Sequence, residues 1–365
     1  MINTMKDRPA VGILLRALAM GGAEKQSLLQ AKLMGAEFDV YFIVQKKGFQ
    51  KKQHLDFIES ENINYIQLSG NIISRTKQLI ECIRKNKIVI LFSFLPLDNL
   101  LASITSLSVK IKYVGGIRNS RLPVIKFYAN WALQKFFLDY MIFNNHAGRD
   151  YFIKRGFSAS KSIVIQNCIN NIHEEIIRSE KNIITILSVG RFTAQKDYLT
   201  ALKSILLLKN KCPDKKIEFV ILGKGELDQQ IQRWIAELNI PDVVIVRNPD
   251  NIKDYYINAD IYFMSSIFEG MPNTIMEALN YSLPVVSTDV GDVAYLIKEG
   301  HNGFLAPAKD PEMLSEKLLV LINDPDKRNS FGRNGHNLLI DEFSEKKYQA
   351  EYISFTKKTL ELNNN

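Results

Sequence analysis

Short apolar runs alternate with amphipathic stretches along the whole chain of 365 residues. Parallel strands need long crossover connections, usually helices, so repeated strand–helix units build a parallel sheet. The alternation therefore predicts an α/β protein with doubly wound, mostly parallel sheets. The predicted strands are residues 11–17, 39–45, 63–69, 88–94, 111–117, 139–145 and 162–167, then 183–190, 216–223, 242–248, 259–266 and 283–288.

The length is too great for one small core and suits two domains. Residues 167–182 lack a buried-strand pattern and are the predicted interdomain link. We therefore expect one Rossmann-like domain over residues 1–170 and a second over residues 171–342. The tail, residues 343–365, has helical periodicity and is expected to pack back on the first domain.

The charge is unevenly distributed along an otherwise ordinary soluble composition, with 46% apolar and 24% charged residues. Residues 1–170 hold 24 lysines and arginines against 11 acidic residues, a balance of +13, whereas the remainder carries −5. A local excess of this size indicates a partner that carries phosphates, either a nucleic acid or an anionic membrane face. The chain has no evident recognition helix or aromatic-rich single-strand motif, so nucleic-acid binding is not predicted.

Cysteine usage and hydropathy predict a cytoplasmic protein. The three cysteines include no CxxC pair, so neither a disulfide framework nor a structural zinc site is indicated. The most membrane-like segment, residues 88–109, is interrupted by Pro96, Asp98 and Asn99, which favours a buried strand followed by a helix. We expect no transmembrane helix and no signal peptide.

The carboxyl ends of strands in open α/β sheets are where ligands bind. In the stretch SVGRFTAQKDY, Gly190, Arg191 and Lys196 stand between a predicted strand and helix. Glycine permits a close backbone approach, and cations beside a helix N-terminus favour an anion such as a diphosphate. Taken alone, an ordinary turn with surface cations explains this stretch better.

Two further glycine turns follow strands in the same way. Gly223 opens a Gly-Lys-Gly turn, but the third glycine of the dinucleotide fingerprint is missing, so at most the edge of a nucleotide is expected there. The pair Gly21-Gly22 follows the first strand and permits a positive φ or a close ligand contact. A plain tight turn is a fair alternative for both stretches.

The stretch FEGMPNTIMEALNYSLPVVSTDVG, residues 268–291, carries two glutamates on either side of a helix start. Pro272 in the first turn needs no N–H partner, which leaves nearby N–H groups to face an anion or hydroxyls. Glu269 on the loop and Glu277 in the helix can border one cleft, and carboxylates accept hydrogen bonds from sugar hydroxyls. The alternative is that Glu269 is an exposed loop residue with no relation to Glu277 in the helix. It is disfavoured because the next predicted strand, residues 283–288, ends in a further loop at the same sheet edge.

In combination and in this order, these motifs resemble the retaining glycosyltransferases of the GT-B fold, family 4, over nearly the whole chain. The most specific match is the E-x7-E signature, Glu269 to Glu277, followed by LPVVSTDVGD and GHNGFL. The second is Gly190-Arg191 with Lys196. The resemblance implies two Rossmann-like domains that face each other across a cleft.

The resemblance also implies a nucleotide-sugar donor, a UDP-sugar first of all, held by the second domain. Arg191 and Lys196 would contact the diphosphate, Glu277 the ribose and Glu269 the transferred sugar. No cofactor and no metal are expected, because the cations meet the leaving charge and no D-x-D pair is placed for a metal. The other donor-contacting residues that the resemblance implies are Gly21, Gly22, Gly190, Gly223, Gly270, Met271, Pro272, Asn273 and Thr274.

One motif departs from the family pattern. Where many members carry a histidine in the first domain, this chain has residues 93–96, SFLP. It resembles instead a subgroup with an SFL…N element and an arginine-asparagine pair. That resemblance assigns Asn99, Arg118 and Asn119 to the acceptor side.

The expected function is transfer of a hexose or N-acetylhexosamine to a glycan acceptor in cell-surface polysaccharide synthesis, such as that of O-antigen or capsule. A polyprenyl-diphosphate-linked acceptor and a peripheral position on the inner face of the cell membrane fit the basic first domain. A nucleotide-sugar epimerase of the same fold and a catalytically silent sugar-binding protein are the alternatives. The donor sugar, the base, the acceptor and the linkage stay open.

Overall fold

The structure of the protein is a computed structural model that describes residues 8–19, 22–46, 48, 52–247, 249 and 251–361. The chain divides into two compact units, each with its own sheet and its own buried clusters. Unit 1 comprises Met1–Cys168 and Glu345–Asn365, and unit 2 comprises Ile169–Ser344.

Unit 1 is built on a seven-stranded parallel sheet with the strand order β3-β2-β1-β4-β5-β6-β7. Its strands are β1 Ala10–Leu15, β2 Asp39–Val44, β3 Asn64–Gln67, β4 Ile88–Ser93, β5 Lys112–Ile117, β6 Tyr140–Phe143 and β7 Ser162–Val164. Its helices are α1 Gly22–Met34, α2 Lys52–Ser60, α3 Ile72–Lys85, α4 Pro96–Ser106, α5 Val124–Phe136, α6 His146–Ile153 and, at the C-terminal end, α14 Glu345–Glu361.

Unit 2 is built on a six-stranded parallel sheet with the order β10-β9-β8-β11-β12-β13. Its strands are β8 Ile183–Val189, β9 Lys216–Leu222, β10 Val243–Val246, β11 Ile261–Met264, β12 Val285–Thr288 and β13 Gly303–Ala306. A 3-10 turn spans Ala194–Lys196, and the helices are α7 Tyr198–Lys211, α8 Asp228–Glu237, α9 Ile252–Asn258, α10 Asn273–Asn280, α11 Val293–Leu296, α12 Pro311–Asn323 and α13 Pro325–Glu342.

Both sheets are covered on two faces, which confirms the predicted doubly wound α/β architecture. Strand β1 shows why: Val11, Ile13 and Leu15 point into the cluster beneath α1, whereas Leu14 belongs to the cluster on the opposite face. Helix α14 packs against α1 and β4, so the C-terminal tail completes one face of unit 1. Within the described residues, no helix combines the length and hydropathy that crossing a bilayer requires.

The predicted strands are all present, but most end earlier than the apolar pattern does. The predicted strand 139–145 stops at Phe143 because the Asn145 side chain accepts a hydrogen bond from the Gly148 amide and begins α6. Strand β13 was not predicted, since its first residue is Gly303 and only its two end residues are buried. It forms by pairing with β12, an interaction that local pattern does not reveal.

The segment between β7 and β8 contains no helix or strand, as predicted, yet it is held firmly within unit 2. Arg178 in this segment donates to the carbonyl oxygens of Ala259 (2.6 Å), Tyr281 (2.7 Å) and Ser282 (2.7 Å). These carbonyls lie at the C-terminal ends of α9 and α10, where a cation is favoured. Burial lowers the pKa of Arg178 to about 10, so the guanidinium stays charged at neutral pH.

Candidate functional site

The candidate site lies where the strand order of unit 2 reverses, between the adjacent strands β8 and β11. The chain leaves these two strands toward opposite faces of the sheet, and the crevice at such a switch point is the usual ligand site of an open α/β sheet. The loop after β8 carries residues 190–197, and the loop after β11 carries residues 265–272. The predicted catalytic residues lie on these loops, Arg191 and Lys196 on the first and Glu269 on the second.

Lys196 and Glu269 form a direct ion pair across the two loops. The Lys196 Nζ atom lies 2.6 Å from Glu269 Oε1, and the Ser266 hydroxyl donates to the same oxygen at 2.7 Å. The side chains are only 15% and 10% exposed, so the attraction is weakly screened by solvent. Lys196 ends the 3-10 turn, and Asp197, in the left-handed region, caps α7 by accepting from the Thr200 amide.

Further hydrogen bonds fix the β8 loop to the β11 loop. The Ile267 amide donates to the Gln195 carbonyl oxygen, and the Gln195 side chain donates to the Phe268 carbonyl oxygen, both at 2.8 Å. The Ser265 hydroxyl donates to the Lys196 carbonyl oxygen at 2.9 Å. Lys196 and Glu269 are therefore presented by one interlocked structure, which limits their freedom before any ligand arrives.

Glu277 is held by a tyrosine that the sequence analysis did not identify. The Tyr256 hydroxyl, on α9, donates to Glu277 Oε2 at 3.0 Å, and the Tyr256 ring stacks on Tyr281 with centroids 5.4 Å apart. Burial, together with the charge of Glu277, raises the pKa of Tyr256 well above its ordinary value. Tyr256 thus stays a hydrogen-bond donor and orients the carboxylate of Glu277 at the sheet edge.

The helix that carries Glu277 begins at the predicted turn. Pro272 precedes α10 and supplies neither an N–H group nor a side-chain cap, while its carbonyl oxygen accepts from the Ile275 amide at 3.1 Å. Asn273 and Thr274 form the first turn of α10, and both are partly exposed. Met271 is buried in the core of unit 2, so it can offer a ligand only its backbone.

Close packing at the strand ends also requires glycine at several of the predicted positions. A Cβ atom on Gly190 would lie 3.1 Å from Lys196 Cε, and a Cβ on Gly223 would overlap the Gly190 carbonyl oxygen. The carbonyl oxygen of Gly270 accepts from the Asp292 amide at 3.1 Å. These glycines let the ends of β8, β9 and β11 approach one another closely.

Gly291 offers a test of how closely the β12 loop must approach the site. It has φ +61°, and a Cβ there would overlap the carbonyl oxygen of Glu269 and lie 2.8 Å from that of Gly270. We expect Gly291→Ala to destabilise unit 2 by about 1–3 kcal/mol, because the added Cβ displaces the backbone of Glu269 and Gly270. The measurement is the free energy of unfolding by denaturant titration. Gly300→Ala is the matched control, since Gly300 also has positive φ (+72°) but has no described atom within 4 Å of its Cβ position; equal stability of the two variants would contradict the prediction.

Arg191 differs from Lys196 in that its side chain contacts no charged group among the described residues. Its side chain is exposed and makes no hydrogen bond or ion pair with any residue in the described part of the chain. A free cation at the switch point, two residues beyond the end of β8, is available to an anionic ligand.

The predicted acceptor residues and the glycine pair belong to unit 1. Asn99 is fully buried: its Oδ1 accepts from Ser93 (2.7 Å) and the Gly116 amide (3.0 Å), and its Nδ2 donates to Asn130 (2.7 Å) and the Gly116 carbonyl (3.2 Å). All hydrogen-bonding capacity of the amide is used. Asn99 therefore acts as a structural clamp between β4, β5 and α5 and presents no polar atom to an acceptor.

The other unit 1 candidates are placed differently. The Arg118 guanidinium lies 3.9 Å from the centroid of the Phe94 ring and donates to the Tyr352 hydroxyl at 3.1 Å. Asn119 is exposed, and so is Gly22 at the start of α1. Gly21 lies outside the described residues.

A cavity elsewhere in unit 2 is separate from the candidate site. At the opposite edge of the sheet, a cavity of about 250 Å³ is lined by charged side chains that include Lys181, Lys215, Lys216 and Arg328, but by none of the predicted site residues. Among the described residues, no three His, Cys, Asp or Glu side chains come together as metal ligands would.

Sequence reasoning missed Ser266, Gln195, Tyr256 and Gly291. Ser266 and Gly291 lie within stretches already singled out, directly after β11 and β12, and position alone could have identified them. Tyr256 carries no such signal, because it lies in an ordinary helix and reaches Glu277 only through the fold.

Comparison with known families identifies the domain that carries this site. Residues 170–338 match the sequence model of the family described as glycosyl transferases group 1, and this range covers nearly all of unit 2. This domain of the chain is therefore similar to glycosyl transferases group 1.

Full-length relatives and a solved structure extend the similarity to both units. The Staphylococcus aureus capsular polysaccharide biosynthesis glycosyltransferase CapM is 23% identical, covering 87% of this chain and 90% of CapM. A Campylobacter jejuni protein, GalNAc-alpha-(1->4)-GalNAc-alpha-(1->3)-diNAcBac-PP-undecaprenol alpha-1,4-N-acetyl-D-galactosaminyltransferase, is 22% identical, covering 89% of this chain and 92% of that protein. With other, more similar curated relatives the chain shares about half of their length or less.

The crystal structure of HepE from Anabaena in complex with UDP and glucose superposes with a TM-score of 0.81 at 16% identity. The match covers 96% of this chain and 100% of HepE. At this identity the similarity establishes the fold alone. The fold is GT-B, as the sequence resemblance predicts.

Proposed function

We propose that this protein is a retaining glycosyltransferase that moves a hexose or N-acetylhexosamine from a UDP-sugar to a glycan acceptor. The observation that carries the proposal is the Lys196–Glu269 ion pair at the switch point of unit 2, with Arg191 on the same loop and its side chain unpaired among the described residues. Two cations and a carboxylate at the edge where open α/β sheets bind ligands support the binding of a sugar diphosphate. The binding of UDP by HepE, which shares the fold, supports the choice of base.

The charges of the site suit the departure of a diphosphate. When the bond between the sugar C1 and the phosphate oxygen breaks, negative charge grows on the leaving group. Lys196 and Arg191 would stabilise that charge in a partly dry site, where fixed charges act most strongly. In a retaining transfer the acceptor oxygen bonds C1 on the same face, and its proton passes to the leaving phosphate oxygen.

The two glutamates suit hydroxyl recognition. Both hydrogen bonds observed to the Glu269 carboxylate end on Oε1, which leaves Oε2 for a hydroxyl of the transferred sugar. Glu277 accepts a hydrogen bond from Tyr256 on Oε2, and its carboxylate would also accept hydrogen bonds from the ribose hydroxyls. Carboxylate–hydroxyl hydrogen bonds are among the stronger neutral-to-charged contacts, at about 1.5–3 kcal/mol each.

The acceptor is proposed to be a polyprenyl-diphosphate-linked oligosaccharide in cell-surface polysaccharide synthesis. The name of the Campylobacter relative specifies an undecaprenol-linked acceptor, and that of CapM specifies capsular polysaccharide. The excess of positive charge in residues 1–170 suits both the acceptor diphosphate and an anionic membrane face. We accordingly propose a peripheral position on the inner face of the cell membrane.

A thermal-shift screen with UDP-, GDP- and ADP-sugars tests the donor, because a ligand that binds only the folded state raises the unfolding temperature. Stabilisation by UDP-sugars, followed by transfer with retained anomeric configuration in the product's ¹H NMR spectrum, is the expected result. An altered free sugar formed without acceptor would identify an epimerase instead. UDP binding without any turnover would identify a silent sugar-binding protein.

Alanine substitution of the two glutamates should affect different quantities, UDP affinity for Glu277 and kcat for Glu269. Glu277→Ala is expected to weaken UDP binding about 10–100-fold, because it removes the acceptor of the ribose hydroxyls. Glu269→Ala is expected to lower kcat about 100-fold with UDP affinity changed less than threefold, since its proposed contacts are to the sugar. Titration calorimetry and steady-state kinetics measure both effects. Glu237→Ala, an exposed glutamate on α8, is the control, and full rate with unchanged affinity in both site variants would overturn the assignment.

A further inference from the structure

Helix α5 of unit 1 exposes an apolar stripe along its outer face. Ile125 is 85% exposed, Tyr128 63% and Phe136 66%, and their spacing of three and eight residues places them on one side of the helix. The opposite side, including Phe127 and Gln134, is buried against the sheet. A helix that is apolar on both sides is normally covered on both sides.

The stripe continues onto two neighbouring helices. Helix α4 packs between α3 and α5, and both α4 and α3 expose large apolar residues near their N-terminal ends: Leu97 and Leu100 on α4, and Ile73 on α3. Each of these helices begins shortly after a strand of the parallel sheet ends. The exposed residues of the first turns therefore lie together at the carboxyl edge of the unit 1 sheet.

Basic residues outnumber acidic residues in the stretch of sequence that contains α4 and α5. Between Asp98 and Asp139 the sequence contains no acidic residue. The same stretch contains six basic residues, namely Lys110, Lys112, Arg118, Arg121, Lys126 and Lys135. Lys135 Nζ lies 5.0 Å from the Trp131 ring centroid and 5.4 Å from that of Phe136, so ammonium and aromatic groups alternate along α5.

We propose that the outer face of α5, with the first turns of α3 and α4, is the surface by which this protein docks on an anionic lipid bilayer. Interfacial helices combine apolar and aromatic side chains with lysine or arginine and no acid, and aromatic rings prefer the headgroup region. An acidic protein partner would explain the lysines, but not exposed isoleucine, valine and phenylalanine set among them. Val124, 70% exposed, completes the apolar surface at the start of α5.

The inference rests on the peripheral location proposed above and adds the surface responsible for it. Docking through this face brings the carboxyl edge of the unit 1 sheet, where open α/β sheets bind ligands, next to the bilayer. A lipid-linked acceptor would then reach that edge without leaving the membrane.

Vesicle flotation tests the proposal with the full chain. Wild-type protein should float with vesicles of phosphatidylglycerol and phosphatidylcholine, and much less with phosphatidylcholine alone. The double variant Ile125→Glu/Tyr128→Glu should bind the anionic vesicles at least about tenfold more weakly. The control Ile177→Glu/Ile340→Glu adds the same two charges at exposed positions of unit 2, 71% and 44% exposed, and should bind within about twofold of wild type.

The possible outcomes separate this inference from the proposed function. If wild-type protein binds no vesicles, the peripheral location itself is wrong; if wild type and the α5 variant float equally, only this docking surface is wrong. Sedimentation that shows a dimer disrupted by the α5 variant would assign the surface to a second copy of the chain. An unchanged circular dichroism spectrum and unfolding temperature report that the variant is folded, and Ile125→Ser/Tyr128→Ser, which should also lose binding, replaces it if the glutamates prevent folding.

Discussion

Lys196→Ala is expected to lower the rate of sugar transfer by about 10²–10³-fold, the usual cost of removing one fixed group that stabilises transition-state charge. The variant loses a cation at the proposed diphosphate site. It also leaves the Glu269 side chain, 10% exposed, with only the Ser266 hydroxyl among its described partners. An unneutralised carboxylate there repels the leaving group, so both kcat and UDP affinity should fall. Steady-state kinetics and titration calorimetry measure the two effects.

Two variants control this experiment. Lys203→Ala removes an exposed lysine from α7, the helix that follows Lys196, and should retain the wild-type rate. Lys196→Arg keeps the charge but not the geometry of the ion pair with Glu269, so it should recover part of the lost rate. Activity of Lys196→Ala within threefold of wild type would show that this cation does not meet a developing charge.

Arg178→Ala is expected to destabilise unit 2 by about 3–5 kcal/mol, because it leaves buried carbonyl oxygens without a donor. The guanidinium binds carbonyl groups at the ends of α9 and α10, the helices that carry Tyr256 and Glu277. In differential scanning calorimetry the transition of unit 2 should fall by roughly 10 °C. The variant should also bind UDP more weakly near that lower transition.

Arg233→Ala provides the matched comparison for Arg178→Ala. Arg233 is exposed on α8 of the same unit, so its removal should change the free energy of unfolding by less than about 0.5 kcal/mol. Equal thermal stability of the two variants would mean that the connecting segment is not held by Arg178.

The fold was predictable because its signal is local and repeated. Strands such as β1 and β9 are short apolar runs that end at glycine or polar residues, and their alternation with helices specifies a parallel sheet. Strand β13 was not predictable in this way. Its Gly303 and half-buried neighbours become a strand only because β12 offers hydrogen-bonding groups beside them.

The candidate site was predictable where its residues follow strands directly. Lys196 and Glu269 were assigned to one site through the family resemblance of their motifs, and the structure joins the two side chains in an ion pair. The assignment of Asn99 to the acceptor side was wrong as a direct contact, because a sequence motif does not tell a buried clamp from an exposed ligand. Tyr256, separated from Glu277 by 21 residues, depends on helix packing that no local pattern encodes.

The most direct test of the account is a crystal structure of the chain with UDP bound. The account predicts the diphosphate oxygens at about 3 Å from Lys196 Nζ or the Arg191 guanidinium, with the ribose hydroxyls on Glu277. UDP bound instead in the cavity at the opposite sheet edge, among Lys181, Lys215 and Arg328, with no contact to the β8 and β11 loops, would contradict it.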